Sequence, residues 1–207
     1  MMSKNAIAVV DSPQNLRHKV GDAIMDLVLK VPASRESEVA QAEVRARALG
    51  RTAARQASLM AGSLALPPGF LGWLTLLPEM LAVWKVQAQL VSDIAAVYGK
   101  SGSLGREQMI YCMFKHVSAQ LFRDVVVRVG ERYLIQRASL VFIQSAAQTL
   151  GVKVTRHLVG KSVSRFVPLL GAVGVSAYAY FDTNQVAKTA IELFSKDIEL
   201  VPDPRSS

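Results

Sequence analysis

The residues that most often carry out catalysis or bind metals are few in this chain, and their spacing gives little support for either. The three histidines, His18, His116 and His157, lie far apart. No two of them have the i, i+3 or i, i+4 spacing that places two ligands on one face of a helix. We therefore expect no metal site and no cofactor.

Cys112 and His116 are the only nucleophile and base that a helix would bring together, at i, i+4 spacing. Nothing marks a third, orienting group, and Cys112 has the apolar neighbours of a core residue, Ile110, Met113 and Phe114. The glycine-rich stretch from Gly99 to Ser103 lacks the spacing of a phosphate-binding loop and follows a predicted helix rather than a strand. The sequence therefore favours a protein that is not an enzyme.

Charged and amide side chains recur within otherwise apolar predicted helices. Four of them are Glu79, Gln87, Gln89 and Asp93, and a second group is Asp182, Asn184 and Lys188. An unpaired buried carboxylate is costly, so we expect Glu79 or Asp93 to pair with Lys188 or an arginine. The predicted polar seam consists of Glu79, Asp93, Asp182 and Lys188. Such a seam either sets helix register or faces solvent, or it lines a site for a ligand or ion.

Composition favours helices that pack closely. Half of the 207 residues are apolar, aromatic residues are few, and alanine, valine and leucine dominate. We predict an all-α, single-domain bundle of about eight helices with two central apolar helical hairpins. The net charge of +8 suits an anionic membrane or nucleic acid. The arginines are not interleaved with aromatic residues and no recognition motif is present, so we expect no nucleic-acid partner. The single cysteine favours a reducing compartment.

Proline and glycine residues divide the chain into the predicted helices. Ser12-Pro13 is typical of a helix start, and Ser34 of the N-cap of a second helix. The predicted helices cover residues 13–30, 34–66, 78–98, 106–150 with a break near Gly130, 152–165, 167–181 and 183–198. We divide the chain into an N-terminal segment and helix (1–33), a helical domain (34–198) and a flexible tail (199–207).

Two apolar runs dominate the pattern. Gln56 to Pro78 is 23 residues without a charge, and Phe166 to Phe181 is 16. A spanning helix needs about 20 apolar residues, and prolines shorten the first run, so neither run is a standard transmembrane helix. Each run is predicted to form a hairpin that enters lipid as a wedge, or that lies at the centre of a soluble bundle. The residues assigned to these hairpins are Leu66, Pro67, Pro68, Gly69, Phe70, Leu71, Trp73, Leu74, Pro168, Leu169, Leu170 and Gly171.

Basic residues precede both runs. Arg51 and Arg55 come before the first, and Lys161 and Arg165 come before the second. Lysine and arginine beside apolar segments are attracted to anionic cytoplasmic leaflets. We therefore predict that these four residues contact anionic lipid; the alternative for each of them is a solvated basic face.

The stretch Ala61–Gly72, AGSLALPPGFLG, with the long helix that follows it to Gly99, resembles the EcsC family of bacterial proteins. It is also related in pattern to the helical membrane-associated domain of YcjF-type bacterial proteins. A second landmark, Pro168–Gly174, is similar to the family's Pro-Leu-Leu-Gly turn. Members commonly carry an Asp where this chain has Leu77-Pro78-Glu79, so Glu79 is the nearest substitute. The resemblance covers about residues 40–197 and implies a helical, membrane-associated accessory protein, in some cases encoded near transporters.

These observations lead to one expected function and two alternatives. We expect a non-enzymatic protein that docks on the inner face of the cytoplasmic membrane and supports a transporter or another envelope complex. Its partners are then anionic lipid and a membrane-protein complex; the oligomeric state stays open. The alternatives are a soluble bundle that binds a hydrophobic ligand and a colicin-like pore-forming protein.

Overall fold

The computed structural model describes residues 13–64, 76–123, 125–136, 140–160 and 168–201 of the chain. These ranges contain the helices α1 (Pro13–Leu29), α2 (Ala42–Leu64), α3 (Leu76–Val97), α4 (Arg106–Phe114), α5 (Leu140–Gly160) and α6 (Pro168–Phe194). Short 3₁₀ turns lie at Ser101–Ser103 and Ala119–Phe122. The strands are β1 (Val126–Val129), β2 (Arg132–Gln136) and β3 (Asp197–Val201).

The prediction of a mostly helical protein is confirmed, but the described residues do not form the predicted bundle of about eight helices. Within the described ranges there are six α-helices and a three-stranded sheet. Two predicted breaks are absent, because α5 continues through Gly151 and α6 continues through Asp182. Gly151 serves close helix packing instead of ending a helix, and the Asp182 carboxylate is hydrogen-bonded to neighbouring elements.

A β-hairpin replaces the middle of the predicted helix 106–150. β1 and β2 are antiparallel, and Val126 lies opposite Ile135. Gly130 has a φ of +60° and precedes Glu131 in the two-residue turn, as in a type II′ turn, which matches the right-handed twist of a hairpin. The signal was present in the sequence, because the β-branched valines at 125–127 and 129 favour a strand.

The third strand comes from the end of the chain. β3 pairs in parallel with β2, from Arg132 opposite Asp197 to Gln136 opposite Val201. Residues 199–201, which were assigned to a flexible tail, are therefore part of the sheet, whereas 202–207 lie outside the described residues. A pairing over more than 60 residues of sequence leaves no local pattern, and this is why the strand was missed.

Helices α2, α3 and α6 form the centre of the fold. Gly50 of α2 lies against Ala187 of α6, and Gly62 lies against Ser176, so the two helices are antiparallel. Gln87 of α3 hydrogen-bonds to Asp182 and Thr183 of α6. About one turn closer to the N-termini of both helices, Val83 packs with Ala179. Residue numbers increase in the same direction along both helices, so α3 and α6 are parallel. The C-terminus of α2 and the N-termini of α3 and α6 therefore lie at the same end of the protein.

One main hydrophobic core joins all six helices to the sheet. Its largest buried side chains include Ile24 of α1, Phe114 of α4 and Phe194 of α6. Phe114 packs edge-to-face on Trp84 of α3 with ring centroids 5.6 Å apart. The predicted start of α1 at Pro13 is confirmed, and Val20, Ile24 and Val28 on one of its faces are completely buried.

Helices α1 and α5 cross at two glycines. A Cβ atom added at Gly151 would lie 2.8 Å from the carbonyl oxygen of Arg17 and 2.9 Å from the nitrogen of Gly21. A Cβ added at Gly21 would instead meet the side-chain amide of Gln148 at 2.7 Å. The first contact is with backbone and the second is with the end of a flexible side chain, so the two glycines differ in how much they tolerate.

We expect Gly151→Ala to lower the free energy of unfolding by about 1–3 kcal/mol, because overpacking would push the two helix backbones apart. The matched control is Gly21→Ala, which should change that free energy by less than about 1 kcal/mol, because Gln148 can rotate away and alanine favours the helix. Urea denaturation measures both values. Equal effects of the two substitutions would contradict this account of the crossing.

Candidate functional site

Only part of the predicted hairpin set can be located. Leu66, Pro67, Pro68, Gly69, Phe70, Leu71, Trp73 and Leu74 lie outside the described residues, as do Lys161 and Arg165. Pro168, Leu169, Leu170 and Gly171 form the first turn of α6 rather than a turn between two helices. The second apolar run is therefore not a hairpin by itself, and its residues from Pro168 onward begin one continuous helix. Proline is well suited to a first helical position because its missing N–H has no partner there.

The structure brings the described parts of both apolar runs side by side. The end of α2 belongs to the first run and the beginning of α6 belongs to the second, and these segments are in contact where Gly62 meets Ser176. A small buried cluster of Ala57, Ala61, Val83 and Ala179 fills the space between α2, α3 and α6. The sequence left open whether the two runs meet, and tertiary packing places them at one end of the protein.

Large apolar side chains at this end are exposed. We call the following set the apolar tip: Leu59 (74% exposed), Val173 (64%), Val175 (41%), Tyr178 (51%) and Phe181 (67%). Tyr178 and Phe181 were within the second run but had not been singled out. Exposed apolar surface that is concentrated in one place marks an interaction site in many soluble proteins.

Exposed basic residues adjoin the apolar tip. Arg51 and Arg55 of α2 are exposed, as predicted for a surface that meets anionic lipid, and Lys85 of α3 is exposed as well. None of the three forms an ion pair with a residue that the structure describes. Lys85 was not predicted, although it is the first basic residue after the first apolar run.

A polar cluster lies directly after Phe181 on α6. One oxygen of Asp182 accepts a hydrogen bond from Gln87 at 2.7 Å, and the other lies 2.7 Å from Nε2 of His116. Gln87 also donates to the hydroxyl of Thr183 at 3.1 Å. The Tyr178 hydroxyl is hydrogen-bonded to Asp182 as well, and partial burial together with this carboxylate raises the pKa of Tyr178 to about 12. The cluster ties α3 and the end of α4 to α6 at the base of the apolar tip.

Asp93 belongs to a different group of hydrogen bonds. Its carboxylate accepts bonds from the Ser34 hydroxyl, the Arg35 backbone N–H and the Gln89 amide, each at 2.9 Å. The prediction that Ser34 caps a helix is therefore wrong, since α2 begins at Ala42 and Ser34 fastens the preceding segment to α3.

A single polar seam is likewise not observed among the described contacts. Asp93 and Asp182 share no hydrogen-bonding partner, and Lys188 is exposed instead of pairing with either. Glu79 lies in the first turn of α3, and its side chain is outside the described set. The two carboxylates each fix a local arrangement of helices, because each is satisfied by hydrogen-bonding partners from neighbouring elements.

The Cys112 and His116 pair does not have the environment of a catalytic dyad. Cys112 is completely buried, and burial raises the pKa of its thiol, so it is protonated at neutral pH. His116 is hydrogen-bonded to Asp182. Among the described residues, no three His, Cys, Asp or Glu side chains lie close enough together to hold a metal ion.

Glu192 joins α6 to the sheet and to the end of α4. Its carboxylate accepts a hydrogen bond from the Tyr133 hydroxyl at 2.8 Å and lies 3.3 Å from Lys115 and 3.6 Å from Arg128. Burial of this carboxylate raises its pKa, but the Tyr133 hydrogen bond and the two cations lower it by more, so the net pKa is below its ordinary value of 4.5.

One described helical stretch is long and apolar enough to span a membrane, Met80–Val97 of α3, with a mean hydropathy of 1.2. About two thirds of it (67%) is buried inside the protein. Core helices of soluble proteins have the same length and composition, so this stretch does not by itself indicate a membrane span.

The fold and the site define a mostly helical domain with a small mixed sheet and an exposed apolar end beside basic residues. The chain matches no model of a protein family, no curated protein and no solved structure.

We expect Glu192→Gln to reduce stability at pH 7 by up to about 1 kcal/mol, because the partly exposed carboxylate loses its charge-assisted contacts. A carboxyl group whose pKa is lowered by folding stabilises the protein above its unfolded pKa, and this contribution is lost as the pH falls through the folded pKa. The difference between wild type and variant should therefore shrink as the pH falls below 4.5, the ordinary value for Glu192. Denaturation with urea at several pH values measures it.

Glu199→Gln on the exposed strand β3 is the matched control for this experiment. It should leave the pH dependence of stability unchanged. If Glu192→Gln and Glu199→Gln give the same curves, the contacts of Glu192 do not stabilise the folded protein.

Proposed function

We propose that the protein is a non-enzymatic, membrane-associated accessory protein. It docks on the inner face of the cytoplasmic membrane through the apolar tip and supports a transporter or another envelope complex. The observation that carries the docking proposal is the exposed apolar tip beside basic residues that form no ion pair with a described residue. The accessory role and the bacterial origin rest on the resemblance of residues 40–197 to the EcsC family.

The apolar tip has enough surface to contribute to binding. Full burial of a large apolar side chain is worth about 1.5–3 kcal/mol, so a half-exposed one that enters lipid contributes roughly 1 kcal/mol. Leu59, Val173, Val175, Tyr178 and Phe181 are each between 41% and 74% exposed. Together they supply about 5 kcal/mol, which is comparable to the weak, reversible binding of a single myristoyl chain.

The basic residues provide the second attraction that stable docking requires. A lysine or arginine near an anionic leaflet is worth about 1 kcal/mol. Arg51, Arg55 and Lys85 are exposed and unpaired with described acids. Apolar insertion and electrostatic attraction together give the two signals that keep a peripheral protein on a membrane. This combination favours an anionic bilayer over a neutral one.

The two alternatives need different features. A protein that stores a lipid needs an apolar cavity. Among the described residues, a groove of about 340 Å³ is lined by Lys100, Ser103, Arg132, Asp197, Ile198 and Glu199. Four of these six side chains are charged, so the groove does not suit a hydrophobic ligand. A pore-forming protein must place helices across the whole bilayer, and this alternative is distinguished by leakage from vesicles.

We expect Val173→Asp combined with Phe181→Asp to weaken binding to phosphatidylglycerol-containing vesicles by at least about 100-fold. The reason is that an Asp placed in lipid at position 173 costs roughly 2.5–3.5 kcal/mol, and the apolar contributions of both side chains, roughly 1 kcal/mol each, are lost as well. Vesicle flotation at a series of lipid concentrations measures the change. The matched control is Val44→Asp with Val141→Asp, which changes two exposed apolar residues outside the tip and should bind as wild type does.

If Val173→Asp with Phe181→Asp floats as wild type does, the apolar tip is not the docking element. If wild type itself stays in solution on every lipid mixture, the docking proposal fails, and the apolar tip then requires a protein partner.

Replacement of Arg51 and Arg55 by Gln should weaken binding to anionic vesicles by about 30-fold, since two interactions of about 1 kcal/mol are lost. Binding to neutral phosphatidylcholine vesicles should not change. The control variant carries Arg35→Gln and Arg132→Gln, which remove the same charge from the end of the protein opposite the tip. An equal effect of both variants would assign the attraction to net charge rather than to Arg51 and Arg55.

A further inference from the structure

Three contacts determine which residues of α2, α3 and α6 lie at the same height. Between the contacts of Gly50 with Ala187 and Gly62 with Ser176, Arg55 of α2 lies level with Asp182 and Thr183 of α6. Gln87 of α3 is at this level too, because it hydrogen-bonds to both residues. Lys85 is two residues closer to the tip, about 3 Å along the helix, and is level with Phe181. Apart from Glu79 in the first turn of α3, the charged residues of these three helices therefore end at one common level.

Aromatic residues mark the same level. Phe181 is exposed, and Tyr178 lies one turn closer to the tip with its ring half exposed and its hydroxyl hydrogen-bonded to Asp182. An aromatic ring with an apolar body and a hydrogen-bonded polar end is the kind of side chain that is enriched at the boundary between membrane and water. The basic residues of α2 and α3 therefore lie close to the level of the aromatic residues of α6.

The exposed apolar positions of α6 cover a broad face instead of a narrow stripe. At 3.6 residues per turn, Val173, Val175, Tyr178 and Phe181 are spread over about 200° of the helix circumference. A helix that lies flat on a membrane buries a single narrower apolar stripe and keeps its other face polar. The N-terminal half of α6 presents apolar residues over a broader face than such a stripe, while its remaining side packs on α2 and α3. This arrangement fits a helix that enters lipid end-on.

The uncharged segments beyond this level have a limited length. Nine residues of α2 follow Arg55 up to Leu64, and α6 extends 13 residues back from Phe181 to Pro168. These are about 14 Å and 20 Å of helix. The hydrocarbon core of a bilayer is about 30 Å thick, so one leaflet contributes about 15 Å. The charge beyond this level on α3 is Glu79 in its first turn, where the helix dipole stabilises a carboxylate.

We infer that the apolar tip enters one leaflet of an anionic bilayer end-on, with the membrane surface at the level of Arg55, Lys85 and Phe181. This inference rests on the proposed docking function and specifies its geometry: α2, α3 and α6 stand upright on the membrane, the tip occupies the near leaflet, and the polar cluster at Asp182 remains in the headgroup region. The body of the protein, with its sheet, points away from the lipid.

Depth measurements with a fluorescent label test this geometry. A single new cysteine is introduced in separate variants at Val173, Ala177, Gln185 and Lys188, which are all exposed positions of α6. Each is labelled with the environment-sensitive fluorophore NBD and bound to vesicles that contain phosphatidylglycerol. The native Cys112 can remain, because it is completely buried and its raised pKa keeps the thiol unreactive. Unmutated protein treated with the label shows that Cys112 does not react.

The expected result is a graded one. Brominated lipid chains should quench NBD strongly at Val173 and more weakly at Ala177, whereas aqueous iodide should quench it at Gln185 and Lys188. The emission of NBD at Val173 should increase several-fold on vesicle binding, and the emission at Lys188 should not. Vesicles loaded with a dye should keep it, because an element that occupies one leaflet opens no path across the membrane.

Three results would overturn the inference while leaving docking intact. These are flotation of the labelled proteins without quenching by lipid at Val173, equal quenching by lipid at Val173 and Lys188, and release of the dye. The second would indicate a helix lying flat on the membrane, and the third a pore. Absence of flotation for unlabelled wild type would overturn the proposed docking function itself, and with it this inference.

Discussion

The antiparallel packing of α2 on α6 is the contact on which the arrangement of the proposed site depends. Small residues make it possible: Gly50 lies against Ala187 and Gly62 against Ser176, so the helix backbones approach closely. Ala57, Ala61 and Ala179 continue the same contact toward the apolar end. The pairing of α2 with α6 brings the described parts of the two apolar runs together, although they are about 100 residues apart in sequence. Because α3 lies parallel to α6, its N-terminus lies at the same end.

Hydrogen-bonded carboxylates then separate the apolar end from the rest of the protein. Asp182 accepts bonds from Gln87 and lies within hydrogen-bonding distance of His116 directly below the exposed Phe181. Asp93 holds the segment before α2 against α3, and Glu192 holds α6 against the sheet. Carboxylates that are buried or partly buried require such partners, so these groups set the register of the helices. The apolar end has no comparable group among its described exposed residues, which is consistent with a surface adapted to a less polar surrounding.

Several elements were predictable from local sequence. Pro13 marks the start of α1 and the apolar residues at positions 20, 24 and 28 are on its buried face, because helix period and proline geometry act over a few residues. The β-hairpin was also predictable, because valines precede Gly130 and the glycine can adopt the φ of +60° that its turn needs. The continuity of α5 through Gly151 was not predictable from local sequence, because glycine generally indicates a helix end. Its role becomes clear only from the backbone of α1, which lies 2.8 Å from where a Cβ atom of residue 151 would be.

The sequence by itself determined that the protein is mostly helical, that two long runs carry no charge and that basic residues adjoin them. These properties follow from composition and short-range spacing. Only the tertiary structure decided that the described parts of the two runs lie at the same end, that Lys85 joins Arg51 and Arg55 beside them, and that Asp182 is bonded to His116 and not to Lys188. It also decided that residues 197–201 complete a sheet with β2. The physical reason is that each of these features is a contact between distant segments, whose free energy depends on the close fit of helix surfaces and on hydrogen-bond partners that no local pattern specifies.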